Sequence, residues 1–208
     1  AVALGNITLN GGGSYFTSDG YYNLRREDRG VVDRPLDLES QTGRLGVTVK
    51  LADDLFVNIR GDYFKEDRGN GTPVARNETR MLQGAVRLET KRPPDQVNWR
   101  LSAYIQDGKF ENVFASVAED RATENPALDQ YNVPSRAFGS SGTVKFPVAE
   151  NSLVEMGVDL RLLKGETNER FFFSDGDFLR ERSAGGAQDF IGAFAAWHWT
   201  PDNRLKIT

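Results

Sequence analysis

Between Gln41 and Leu51 the side chains switch between apolar and polar at almost every step. Leu45, Val47, Val49 and Leu51 fall on one side, and Arg44, Gly46, Thr48 and Lys50 fall on the other. A β-strand points successive side chains to opposite faces. A segment of this kind therefore builds a sheet with one apolar face and one charged face.

The pattern recurs. Strands are predicted at Ile7–Phe16, Gln41–Leu51, Leu55–Lys65, Arg80–Thr90, Val97–Phe110, Arg136–Phe146, Leu153–Lys164 and Asp189–Trp199, with a last one starting near Arg204. Each is close to the roughly 9–11 residues that a tilted strand needs to cross a bilayer. Val57, Ile59 and Tyr63 oppose Asn58, Arg60 and Asp62. Leu82, Val86 and Leu88 oppose Gln83, Arg87 and Glu89. Trp99, Leu101, Ala103 and Ile105 oppose Asn98, Arg100, Ser102 and Gln106, and Val154–Leu162 alternates with Glu155, Asp159 and Arg161. Two segments are less regular: Arg136–Phe146 is rich in Gly and Ser, and Asp189–Trp199 carries Phe190 and Phe194 on the face away from Ile191. All eight prolines lie outside the predicted strands, as residues that cannot donate to a ladder should.

The intervening segments alternate in length. Ala52–Asp54, Lys91–Gln96, Pro147–Ser152 and Thr200–Asn203 are short, whereas Thr17–Ser40, Glu66–Thr79, Glu111–Ser135 and Gly165–Gln188 are long and polar. Successive connections of an antiparallel sheet fall at opposite ends, so the long ones gather on one rim. This is the plan of an up-and-down transmembrane β-barrel, apolar toward lipid and polar toward its lumen, with short turns inside and long loops outside. On that plan Arg60, Asp62, Arg87, Glu89, Arg100, Glu155, Asp159 and Arg161 face the lumen. Trp99, Trp197 and Trp199 lie near short turns and form an interfacial girdle, where His198 between two of them is expected as well.

Composition excludes several classes. Hydrophobic residues make up 38% of the chain and mean hydropathy is −0.52. No window nears the roughly 18 apolar residues of a helical span. The net charge of −4 argues against nucleic acid as a partner. Cysteine is absent, which removes disulfides and thiolate sites. A single histidine leaves no zinc pair and no catalytic triad with a spare candidate. No catalytic residue, cofactor or metal site is expected. Two groups are candidate ligand contacts: Tyr21, Tyr22, Arg25 and Arg26 in one long loop, and Phe171, Phe172 and Phe173 in another. Exposed aromatics can stack on a ligand, and arginines can hold an anionic one.

The ordered set Ser18–Arg29 (SDGYYNLRREDR), Gly61–Pro73 (GDYFKEDRGNGTP) and Phe114–Ser135 (FASVAEDRATENPALDQYNVPS) resembles the barrel of TonB-dependent outer-membrane receptors across nearly the whole chain. The resemblance implies a barrel of about 22 strands whose lumen is closed by a plug domain. It implies capture of a scarce nutrient, foremost an iron–siderophore, and import driven through TonB. The partners implied are outer-membrane lipid, the plug and through it TonB, and the small-molecule nutrient. Residues 1–208 then form one part of the barrel domain, about eight or nine strands of it, without plug or TonB box, in a bacterial outer membrane. The alternatives are a small complete outer-membrane barrel with a structural or adhesive role, and a soluble β-barrel that binds a ligand with its apolar face turned inward.

Overall fold

The computed structural model describes residues 1–202 and 205–208. Eight long strands follow one another in a single antiparallel sheet: β2 (Ile7–Ser18), β3 (Leu38–Lys50), β4 (Leu55–Gly69), β5 (Arg76–Thr90), β6 (Asn98–Val117), β7 (Glu124–Ala149), β8 (Ser152–Ser174) and β9 (Asp177–Asp202). Short strands β1 (Val2–Leu4) and β10 (Leu205–Ile207) flank them. Strand order equals chain order throughout, so the topology is purely up-and-down. The only helical element among the described residues is a 3₁₀ turn at Arg26–Asp28. The architecture is a partial barrel wall, as the alternation predicts. Arg204, where a last strand was expected to start, lies outside the described residues.

Register aligns the two faces across all eight strands. One row reads Leu9, Val47, Ile59, Val86, Ala103, Ser140, Leu160 and Ile191. The next residue along each strand gives Thr8, Thr48, Asn58, Arg87, Ser102, Ser141, Asp159 and Gly192. A slip of one residue anywhere would exchange the faces. On the polar face the rings of Tyr104 and Phe194 lie over Gly139 and Gly157, where a Cβ would collide with them at 2.2 and 2.3 Å. The glycines of the irregular strand β7 and its neighbour therefore make room for aromatics from adjacent strands.

At the short-turn rim the expected strand ends fall within three residues of the observed ones, whereas at the other rim the expected strands stop too early. Three of the four expected long loops are mostly ladder. The chain turns over at residues 70–75, 118–123 and 175–176, and only residues 19–37 form a long connection. The ten residues of β8 beyond Lys164 project roughly 34 Å at about 3.4 Å per residue. Beyond the apolar rows, both faces of a projecting hairpin are wet. Its strands need no apolar alternation, and the ladder persists because it satisfies the backbone. The turn at 175–176 is Asp-Gly with both residues at positive φ, 53° and 89°, the geometry that suits a two-residue hairpin.

The prolines correct the expectation too. Pro35, Pro73, Pro93 and Pro94 lie outside strands, but Pro126, Pro134 and Pro147 lie in β7 and Pro201 in β9. Pairing shifts occur beside Pro126 (between Phe114 and Ala115 of the partner strand) and between Pro147 and Ala149. Such bulges are where a missing donor is tolerated.

Candidate functional site

The polar face collects all eight residues expected there. Register places Arg60, Asp62, Arg87, Glu89, Arg100, Glu155, Asp159 and Arg161 on one side of the sheet. Arg44 and Arg60 each donate from Nε to Asp62, at 2.7 Å to Oδ1 and 2.7 Å to Oδ2. Arg100 Nε donates to Glu89 Oε2 at 2.9 Å, and Glu89 is buried. Glu155 pairs with Lys145 at 3.1 Å and faces His198 at 3.5 Å. Arg87, Asp159 and Arg161 form no ion pair among the described residues. His198 departs from expectation: alternation turns it to the polar face, away from the tryptophans on either side. A hollow on this face runs between Asn10, Thr42, Arg44, Asp62, Phe64 and Gln83.

The opposite face is bare. Leu45 is 74% exposed, Val158 61% and Ile191 86%, and no second layer among the described residues packs against them. Among the described residues Val32 is the one buried hydrophobic side chain. Trp99, Trp197 and Trp199 all belong to this face, near the short-turn rim, where Trp197 and Trp199 stack with centroids 6.0 Å apart.

At the far rim the segment 19–37 folds down over the neighbouring turns. Arg121 Nε and Nη2 grip Asp33 Oδ2 and Oδ1 at 2.8 and 2.5 Å, and Gly30 N–H donates to Oδ2 at 2.7 Å. The Arg121 guanidinium holds the Asp33 carboxyl below the usual carboxylate range against the opposing effect of burial. Arg121 itself sits at φ 54°, and a Cβ on Gly30 would meet its carbonyl oxygen at 2.4 Å. Further ties run from Arg76 to Asp37 at 3.0 Å, from Arg34 N–H to the Gly71 carbonyl at 2.8 Å, and from Val74 N–H to Glu124 Oε1 at 3.0 Å. The Asp33–Arg121 pair joins residues 88 apart in sequence and carries no local signature, so alternation cannot reveal it.

The two candidate ligand groups fare differently. Tyr21, Tyr22, Arg25 and Arg26 are exposed in segment 19–37; the cation stacked on the Tyr22 ring, at 3.9 Å, is Arg29. Phe171, Phe172 and Phe173 are not in a loop. They lie on β8 near its tip, because Asp175-Gly176 carries the reversal. Phe171 lies under Arg182 at 5.1 Å, and Phe173 meets Phe178 edge-on at 5.2 Å. Phe172 remains exposed at φ 59°, with Arg180 at 4.8 Å from its ring. These rings are engaged within their own hairpin.

No family model and no curated protein sequence matches the chain. Solved structures do. The ferric yersiniabactin uptake receptor FyuA from Yersinia pestis superposes at a TM-score of 0.61 with 12% identity, over 96% of this chain and 33% of that one. The siderophore receptor PiuA from Acinetobacter baumannii gives 0.57 and 12%, over 80% of this chain and 31% of that one. The RagAB peptide transporter gives 0.58 and 11%, over 93% and 28%. The likeness is one of fold. The chain spans about a third of the length of the solved chains it matches.

Proposed function

We propose that this chain is a wall segment of a TonB-dependent outer-membrane receptor that captures a scarce nutrient, foremost an iron–siderophore, at its outward rim and imports it with energy relayed through TonB. The observation that carries this reading is the bare apolar face. A single sheet that buries one hydrophobic side chain among its described residues has no driving force to fold in water. In a bilayer the same face meets hydrocarbon. From Val154 to Leu162 the apolar run covers eight residue steps. That is about 27 Å along a strand, or roughly 20 Å at a 40° tilt, near the height of a barrel's apolar band. The soluble alternative needs that face turned inward against a partner layer.

On this reading the polar face lines the lumen toward a plug, the tryptophans mark the inner interface, and the projecting hairpins with segment 19–37 form the capture surface. Tyr21, Tyr22, Arg25 and Arg26 are its ligand contacts, chosen for aromatic stacking and charge. On this reading the protein is a transporter rather than an enzyme. The test is fractionation of the whole protein that carries this segment. It should sediment with outer membranes and migrate faster unheated than boiled. Recovery from the soluble periplasm without detergent would overturn the reading. Deletion of the gene should then impair growth on one ferric siderophore as sole iron source, and Tyr21→Ala with Arg25→Ala should weaken binding of that siderophore.

A further inference from the structure

Near the tip of the β8–β9 hairpin one side chain breaks the alternation of its strand. Phe171 pairs with Arg180 and Phe173 with Phe178, so Phe172 falls opposite Leu179, on the face turned away from Phe171. Its ring is not there. Phe172 has φ 59°, and its ring centroid lies 5.2 Å from that of Phe171, its chain neighbour. The Arg180 guanidinium stands 4.8 Å from the same ring. The left-handed backbone has carried Phe172 across to the side of Phe171 and Arg180, and Leu179 is left 67% exposed.

Asp175 and Gly176 also have positive φ, but they make the turn. Phe172 lies within the ladder of β8, where a bulky side chain in the left-handed region is a costly outlier. Two effects draw the ring toward Leu179: release of that strain, and an aromatic–aliphatic cross-strand pair. Two hold it in place: contact with the Phe171 ring and with the Arg180 cation. The opposing effects are of similar size, so neither position wins by a wide margin. What differs between the positions is Arg180. Arg182, one turn of the pleat away, is held by Glu169. Arg180 is exposed and has no ion pair among the described residues, and the Phe172 ring lies against it.

We infer that Phe172 is a two-position latch. Closed, its ring covers Arg180 beside Phe171. Open, it regains an extended backbone, packs on Leu179, and frees Arg180 and Phe171 to take a planar carboxylate. The guanidinium fork would pair the carboxylate oxygens, and the Phe171 ring would stack on the attached plane. The place of this latch in a capture surface rests on the membrane reading above.

The test places 4-fluorophenylalanine at position 172 of the whole receptor in detergent micelles and follows its fluorine resonance. Two populations are expected, as separate lines or as exchange detected by relaxation dispersion. Arg180→Ala should move the ratio toward the open position and Leu179→Ala toward the closed one. Each shift should be about twofold to fivefold, the worth of one cross-strand contact. Benzoate should raise the open fraction in the wild type and leave Arg180→Ala unchanged, with chloride at equal strength as the control. A single line without exchange that ignores both substitutions overturns the latch. Two populations that ignore benzoate overturn its link to an anionic ligand. A receptor that inserts into vesicles yet holds the ring in one place defeats this inference alone; failure to insert at all defeats the membrane reading with it.

Discussion

Leu45 and Val158, in the middle rows of the sheet, are left mostly bare, whereas Val32 and Asp33, at its outward rim, are almost fully covered. The middle rows are held by ladder hydrogen bonds and by cross-strand pairs on one face only. The rim is held by long-range ties of a polar kind: Asp33 to Arg121, Asp37 to Arg76, Val74 to Glu124. In an ordinary water-soluble domain the relation is inverted, with apolar side chains inside and polar ones at the edges. On the proposed membrane reading, the contrast arises because the two regions have different solvents. Where water is excluded by lipid, the sheet needs no protein core. Where water returns, the chain must hold its own loops together.

Substitution in the middle should have the largest effect. In the whole barrel, Val158→Arg should lower stability by about 2–4 kcal/mol in urea unfolding from lipid vesicles, while Asp159→Asn one position along should change it by less than about 1 kcal/mol. The opposite order would mean the faces are exchanged, and the comparison would fail. At the rim, Arg121→Ala removes the charged partner of a covered carboxylate. It should weaken local protection by about 1.5–3 kcal/mol, read as faster amide exchange over residues 19–37 with unchanged exchange in β4 and β5. Loss of protection in both places would show one cooperative unit rather than two regions.

A pH effect follows from the same pair. Because the folded carboxyl of Asp33 titrates lower than its unfolded counterpart, its stabilising contribution is complete above the unfolded value of about 3.9 and fades as pH falls through the folded one. Protection of residues 30–34 should stay level from neutral pH to about pH 4 and decline below it, and Asp33→Asn should abolish that decline. The smallest effect belongs to Arg44→Ala. Its pair with Asp62 is solvent-exposed on the arginine side, and Asp62 keeps Arg60, so a change within about 1 kcal/mol is expected in the same urea titration.

The strands of the middle rows were legible because a two-residue period survives only where one face is apolar. Val57 to Tyr63 and Val154 to Leu162 announce themselves in this way. The outward halves of β7, β8 and β9 were not legible by that test, since Arg170 and Glu181 can face each other without any apolar period. A different signal was present: Asp175-Gly176 is a hairpin dipeptide, and it relocates Phe171, Phe172 and Phe173 from a loop to a strand. The eight polar-face residues were found by parity alone, and so was their common side. Their partners were not, because whether Arg60 meets Asp62, or Arg87 meets no carboxylate among the described residues, depends on side-chain reach.

The sequence by itself determined that this chain makes an antiparallel sheet with an oily side and a charged side, because a strand's geometry converts every second residue into a face. Tertiary structure alone decided that Asp33 finds Arg121 and which charges of the polar face pair, as Arg100 does with Glu89. Those outcomes depend on strand register and loop closure, which bring together residues that no local period connects.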